Sequence, residues 1–205
     1  MLASVIKQIE QKIKRLSKGK ILFITDFSEL GTDVAIRQSL QRLTKKNLLI
    51  RLSQGIYYYP KQNDVLGIIC PTAEQIAQAI AKRDKARIIP TGSYALYKLG
   101  LSTQIPMNVV YLTDGSARKI VVGKQKITFK KISPKNLAVK HHLSNLIIQG
   151  LKELGENNIS ENEKSKLKEV IIKSGEHTEI KKYIRNTAVW TQKIVLQIIK
   201  EIENN

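Results

Sequence analysis

The hydrophobic period of this chain changes repeatedly within forty residues, Ile21 to Pro60, ILFITDFSELGTDVAIRQSLQRLTKKNLLIRLSQGIYYYP. An apolar run, residues 21–24, comes first. A brief helix over residues 26–30 follows, with Thr25 as its cap and Gly31 ending it through backbone angles that other residues avoid. Thr32 caps a second helix, and Asp33 sits favourably in its first turn. Val34, Ile36, Leu40 and Leu43 recur at mostly helical spacing and mark the expected buried face. Two apolar segments, 48–52 and 56–59, flank Ser53-Gln54-Gly55, which is a hairpin signal with Gly55 free to take positive φ. Upstream, Leu2, Val5, Ile6, Ile9, Ile13 and Leu16 form one stripe of a helix over residues 2–16. Helix, helix, tight turn, helix and hairpin is the order of a winged helix-turn-helix.

In that arrangement the helix after Thr32 is the reader. Away from its apolar stripe it carries Asp33, Arg37, Gln38, Gln41 and Lys45, with Arg42 and Lys46 at the margin. Arg can bond two acceptors of guanine at once, and Gln two edge atoms of adenine. Lys45 and Lys46 suit phosphates, which fix position and carry no sequence information. Arg51 and Gln54, at and beside the hairpin turn, form the wing. The predicted DNA-contacting set is therefore Thr32, Arg37, Gln38, Gln41, Arg42, Lys45, Lys46, Arg51 and Gln54. Lysines of the first helix are expected to reach flanking phosphates. With about six phosphates neutralised, log affinity falls against log salt with a slope near −5.

Charge supports a polyanionic partner. The chain of 205 residues has a formal net charge of +18, which favours DNA, RNA or an acidic surface. The charge is uneven: residues 1–70 carry a net +7, residues 71–135 a net +9 and residues 136–205 only +2. Hydrophobic residues make up 42 %, enough for a core and too many for wholesale disorder. Cys70 is the only cysteine, so no internal disulfide forms, as expected in a reducing cytoplasm. No stretch approaches the ~20 apolar residues of a membrane span, and the N-terminus lacks the pattern of a signal peptide.

The expected fold class is α+β. A winged helix-turn-helix over residues 1–61 is followed by a linker, 62–71, and a mixed domain, 72–205. Polar residues 60–64 are read as a break in regular structure. Thr72 caps a helix over residues 73–83. A strand over residues 86–90 leads into Thr91-Gly92-Ser93 and a short helix, 94–99. Turn chemistry at Asp114-Gly115-Ser116 and Gly123-Lys124 divides a three-stranded antiparallel meander, 108–132. Arg118, Lys119, Lys124, Lys126, Lys130 and Lys131 cluster on it, and alternation around Ile127 and Phe129 suggests one buried and one basic, wet face. A helical tail, 139–204, holds three helices, the last running from about Thr178 to Glu203. Trp190 is read as an anchor in the helical packing.

The block PTGSYALYKLGLSTQIPMNVVYLTDG, together with RLSQGIYYYP, resembles the AbiEi-type antitoxins of bacterial toxin–antitoxin systems. In the first block Arg51, Gly55, Tyr57, Tyr58 and Pro60 match, while Gln54 stands where a basic residue is usual. In the second, Gly92, Ala95, Leu96, Gly100, Leu101, Thr103, Pro106, Thr113 and Gly115 match. The likeness covers roughly residues 1–135. It implies an N-terminal domain that binds repeats in its own promoter and represses the operon; repression by occupancy adds two copies on an inverted repeat, meeting on the DNA. It also implies a second domain that neutralises a nucleotidyltransferase-like toxin without a stable complex.

No catalytic, cofactor or metal constellation is read from the chain. His141 and His142 are adjacent and point differently on a helix, and His177 stands apart. Thr91-Gly92-Ser93 suggests a nucleotide-using site, but no Asp-x-Asp or Glu-x-Asp follows to hold two metal ions. Two alternatives stay open: an RNA-binding module built on the basic meander, and a degenerate nucleotide-using enzyme centred on Thr91-Gly92-Ser93.

Overall fold

A computed structural model describes residues 4–137, 141–185 and 187–204. The architecture is mixed α+β, and contacts divide it into two units. One comprises Met1–Ile80 with Ile120–Gly123, the other Ala81–Lys119 with Lys124–Asn205. Among the described residues no helix is long and apolar enough to cross a membrane.

In the first unit, helix α1 (Val5–Lys14) precedes strand β1 (Ile21–Phe23), a 3-10 helix (Ile24–Leu30) and helix α2 (Asp33–Lys45). Strands β2 (Ile50–Ser53) and β3 (Ile56–Tyr58) close a three-stranded sheet in the order β1-β3-β2. Both pairings are antiparallel, Ile21 facing Tyr58 and Ser53 facing Ile56. A register shift between Arg51 and Ser53 makes a bulge just before the turn. Gly55, at φ 72°, supplies the left-handed residue the turn needs. Ile9, Ile13, Phe27, Ile36, Leu40 and Leu43, all fully buried, pack in one core with Leu22, Leu49, Tyr57 and Tyr59. Each such aliphatic side chain contributes roughly 1.5–3 kcal/mol by leaving water.

Several local expectations change. The start of the first helix at Leu2 lies outside the described residues. Thr25 does not cap the short helix. The Asp26 carboxylate does, accepting from the Phe23 N–H at 2.8 Å. Gly31 has φ 161°, ordinary extended backbone, so its role is size: a Cβ there would lie 3.1 Å from Val5 Cγ2. Thr32 caps α2 as expected, its hydroxyl accepting from Ala35 N–H at 3.3 Å. Val34 is not buried but 65 % exposed. It stands only two residues from Ile36, which turns it about 160° away from the core face, and Ser39 is buried in the stripe instead.

Residues 60–64 do not break regular structure. Strands β4 (Lys61–Asn63) and β5 (Gly67–Ile69) form an antiparallel hairpin. Asn63 Oδ1 accepts from the N–H groups of Val65 and Leu66 to make its turn, and Tyr58 donates to Ile69 O at 2.6 Å at its base. Helix α3 (Ala73–Arg83) follows, with Thr72 and Gln75 capping each other reciprocally. The boundary between the two units falls inside α3, at Ile80.

The second unit holds strand β6 (Ile88–Thr91), helix α4 (Ser93–Lys98), strands β7 (Asn108–Thr113) and β9 (Gln125–Lys131), and four further α-helices among the described residues, while strand β8 (Arg118–Val122) straddles the division, with Ile120–Val122 in the first unit. The strand order is β6-β7-β9-β8. The expected antiparallel meander is therefore incorrect: β9 lies between β7 and β8, and β7 and β9 run parallel, Asn108 facing Lys126 and Thr113 facing Lys131. Strands β6 and β7 pair antiparallel, Ile88 facing Thr113. Asp114 explains why β7 does not fold back on β8. Its carboxylate accepts from Arg87 N–H and Nε, both at 2.8 Å, tying the end of β7 to the start of β6 instead of closing a hairpin. The central place of β9 also explains why Thr128 is buried together with Ile127 and Phe129, so no clean wet face exists. Thr128 bonds Asn108 Oδ1 at 3.1 Å.

On the sheet, Tyr111 stacks on Phe129 at 5.9 Å between ring centres and meets Tyr94 of α4 edge-on at 5.7 Å. Helices α5 (His142–Leu154), α6 (Glu161–Ser174), α7 (His177–Ile184) and α8 (Val189–Glu203) bury Ile147, Leu151, Leu167, Ile171, Ile180, Ile184 and Ile199 in one cluster with Ala95 and Leu99. Gly150 lets α5 approach α4, because a Cβ there would overlap the Leu99 side chain. Val139, where the helical tail was expected to begin, lies outside the described residues. The expected single helix over 178–203 is two, α7 and α8. Gln192 Nε2 donates to the carbonyls of Arg185 and Thr187, and so satisfies backbone left open by the break. Trp190 is partly buried against this cluster, as an anchor should be.

Candidate nucleic-acid interface

Residues 34, 37, 38, 41 and 45 follow one another at helical spacing, so Val34, Arg37, Gln38, Gln41 and Lys45 make a single exposed stripe along α2. The β2–β3 hairpin stands beside it. Together they line an open groove: Val34, Arg37, Gln38, Gln41, Thr44 and Lys45 from α2, Arg51, Gln54, Gly55 and Tyr57 from the hairpin, and Ile24. Six predicted residues are thus brought together, Arg37, Gln38, Gln41 and Lys45 with Arg51 and Gln54. Three are not: Thr32 is engaged at the helix cap, and Arg42 and Lys46, though exposed, do not line the groove. Val34, Ile24, Thr44 and Tyr57 are groove residues the sequence pattern did not reveal. The phase of Val34, two residues from Ile36, was the available signal.

Charge on this face is uncommitted in places and committed in others. Arg37 lies 3.6 Å from Asp33, an exposed pair one turn apart, worth a few tenths of a kcal/mol. Arg42, Lys45, Lys46 and Arg51 form no ion pair among the described residues. The α1 lysines differ. Lys12 donates to Asp26 O at 2.6 Å and to Glu29 Oε1 at 2.5 Å, with its ammonium 5.5 Å above the Phe27 ring. Its hydrogen bond lowers the Glu29 pKa. Lys14 pairs with Glu10 at 2.6 Å, raising its own pKa and lowering that of Glu10. Those two lysines pair with carboxylates at partly exposed sites, while Lys7 of α1 is exposed.

The basic residues of the second unit do not share one face. Arg118 Nη2 is tied to Asp84 Oδ2 at 2.5 Å, and Asp84 also takes Arg83 Nε at 2.7 Å. Burial pushes the Asp84 carboxyl up, but the two guanidinium groups outweigh it and the net shift is downward. Lys119, Lys124, Lys126, Lys130 and Lys131 are exposed. Along β9, Lys126 and Lys130 point to one side and Lys131 to the other.

The sequence matches the model of a family over residues 8–180, a family of unknown function designated DUF6088. The chain belongs to the DUF6088 family. No curated protein matches it. The span shared with DUF6088 includes the α2 groove, the basic strands and the pocket beside Gly92.

That pocket is lined by Thr91, Gly92, Ser93, Pro106, Met107, Asn108, Val110, Lys130 and Glu153. Thr91 bonds Gln149 Oε1 at 2.9 Å, so one of its two hydroxyl side chains is already occupied. Among the described residues no three His, Cys, Asp or Glu side chains gather as a metal site. His141 caps α5, its Nδ1 accepting from Ser144 N–H at 3.3 Å while the ring stacks on Tyr183 at 5.7 Å. It is therefore half-buried rather than on the surface; His142 is exposed. His177 is the first residue of α7.

Proposed function

We propose that this protein is a sequence-specific DNA-binding repressor of the winged helix-turn-helix kind, with α2 as reader and the β2–β3 hairpin as wing. The observation that carries this is the groove in which Arg37, Gln38, Gln41 and Lys45 stand beside Arg51 and Gln54. Two-toothed hydrogen-bonding side chains lie on the α2 stripe, with unpaired cations beside them. The division matches what a duplex requires, base edges for the stripe and phosphates for its margins. Repression would act by occupancy, two copies on an inverted repeat with reader helices about one helical turn apart.

The resemblance to AbiEi-type antitoxins supports a second task for the other unit, neutralising a nucleotidyltransferase-like toxin. Lys126 and Lys130, exposed on one side of β9, are the candidate surface for it. The test has two arms. Duplexes enriched from a randomised library on the full chain give the operator, and Arg37→Glu should abolish their retention at moderate salt. Co-expression with the product of the adjacent reading frame should relieve growth arrest, and Arg37→Glu should leave that relief intact. Normal DNA retention by Arg37→Glu would remove the reader assignment. Failure to relieve arrest by the wild-type chain would remove the antitoxin task.

A further inference from the structure

Val34 is the one exposed side chain of α2 that is apolar. The others, Asp33, Arg37, Gln38, Gln41, Arg42 and Lys45, are polar or charged. Its position is unfavourable locally, since a β-branched residue on a solvated helix face loses rotamer freedom and gains no burial. Nor is it stray: at 65 % exposed it opens the stripe that continues through Arg37, Gln38, Gln41 and Lys45, and it lines the groove. It lies in the first turn of α2, the part of a reader helix that reaches base edges. Only one base presents an apolar group in the major groove, thymine through its C5 methyl.

We infer that Val34 reads the methyl of a thymine next to the base bonded by Arg37 or Gln38, so that the sequence preference of the groove includes a T·A pair chosen by apolar contact. This rests on the DNA-binding reading above and adds one residue and one base to it. The groove chemistry fits the choice. Guanine or adenine presents its acceptors to the longer side chains, whereas the short, rigid isopropyl group fits a methyl and offers nothing to the amino group of cytosine, which a carboxylate would satisfy better.

The experiment couples the protein and the base. The full-length chain enriches duplexes from a randomised library, and each thymine of the consensus is replaced singly by deoxyuridine, which lacks only the methyl. Wild-type protein should lose about four-fold in affinity at one thymine per half-site, the transfer free energy of one methyl group. For Val34→Ala the same replacement should cost nothing. Val34 is 65 % exposed and stands outside the buried core cluster, so the variant should melt at or slightly above the wild-type temperature. A consensus without such a thymine, or equal losses in both proteins at every thymine, overturns the Val34 assignment and leaves DNA binding standing. If no duplex is enriched, the DNA-binding reading falls and Val34 falls with it.

Discussion

If the protein binds DNA as proposed, the salt dependence of that binding follows from which cations are free. Arg37 is assigned to a base edge, and Lys12 and Lys14 are held by Glu29 and Glu10. Lys45 and Arg51 line the groove, and Arg42 and Lys46 flank it on α2. Two to four phosphates are then neutralised per copy. At about 0.9 per phosphate the slope of log affinity on log salt lies between about −1.8 and about −3.6. This is shallower than the value near −5 expected for about six neutralised phosphates. At the steep end, affinity falls about 150-fold between 50 and 200 mM salt. Fluorescence anisotropy of an enriched half-site duplex, titrated at several salt concentrations, measures it. Lys45→Ala should reduce the slope by about 0.9, and Lys12→Ala should leave it unchanged. A slope of −5 or steeper, or equal changes from Lys45→Ala and Lys12→Ala, would refute the argument, because cations outside the α2 groove and its flanks would then be meeting phosphates.

Other outcomes are expected from the local structure. Thr32→Ala removes the α2 cap and should lower stability by about 1 kcal/mol, read as a shift in thermal midpoint. Phe129→Ala empties one end of the Tyr94–Tyr111–Phe129 group and should cost about 3–5 kcal/mol, measured by urea unfolding. The Asp114 carboxyl is held below its usual range chiefly by the Arg87 backbone N–H, against a smaller upward push from burial and with help from the Arg87 side chain. A depressed carboxylate adds stability that is full above its unfolded pKa and is lost as pH falls through the lower folded value. Asp114→Asn should therefore destabilise the wild type near neutral pH, by about 1 kcal/mol after allowing for solvent screening, and converge with it below about pH 4. Thermal melts of both proteins across that range would show whether the gap closes.

Elements set by neighbours in the chain were legible. Thr32 as cap, α2 behind it and Gly55 in the hairpin turn depend on a few adjacent residues, and each is found. The exposed stripe of α2 was legible for the same reason, since residues 37, 38, 41 and 45 keep a helical phase that needs no tertiary information. The exposure of Val34 is less legible, because an apolar side chain fits the helical stripe until its angle of about 160° from Ile36 is counted. The sheet order was not legible. Asp114-Gly115-Ser116 looks like a tight turn, but Asp114 bonds to Arg87, 27 residues earlier, and sequence pattern carries no trace of such a partner. Thr128 reads as a surface residue until both its neighbours are known to be strands. The break between α7 and α8 contains neither Pro nor Gly; it is sustained by the Gln192 side chain, which a propensity argument does not see.

The insertion of β9 between β7 and β8 has a consequence during synthesis. When residue 113 has left the ribosome, β6 and β7 can already pair, but the far side of β7 has no strand to cover it. Eleven further residues, including all of β8, must emerge before Gln125 begins the strand that belongs there. Until then β7 offers unsatisfied backbone groups along an apolar segment, Val109 to Leu112, a template for pairing with another nascent chain. Overexpression at high temperature should therefore yield aggregates seeded by this segment, and a slower rate of elongation through residues 114–131 should worsen them.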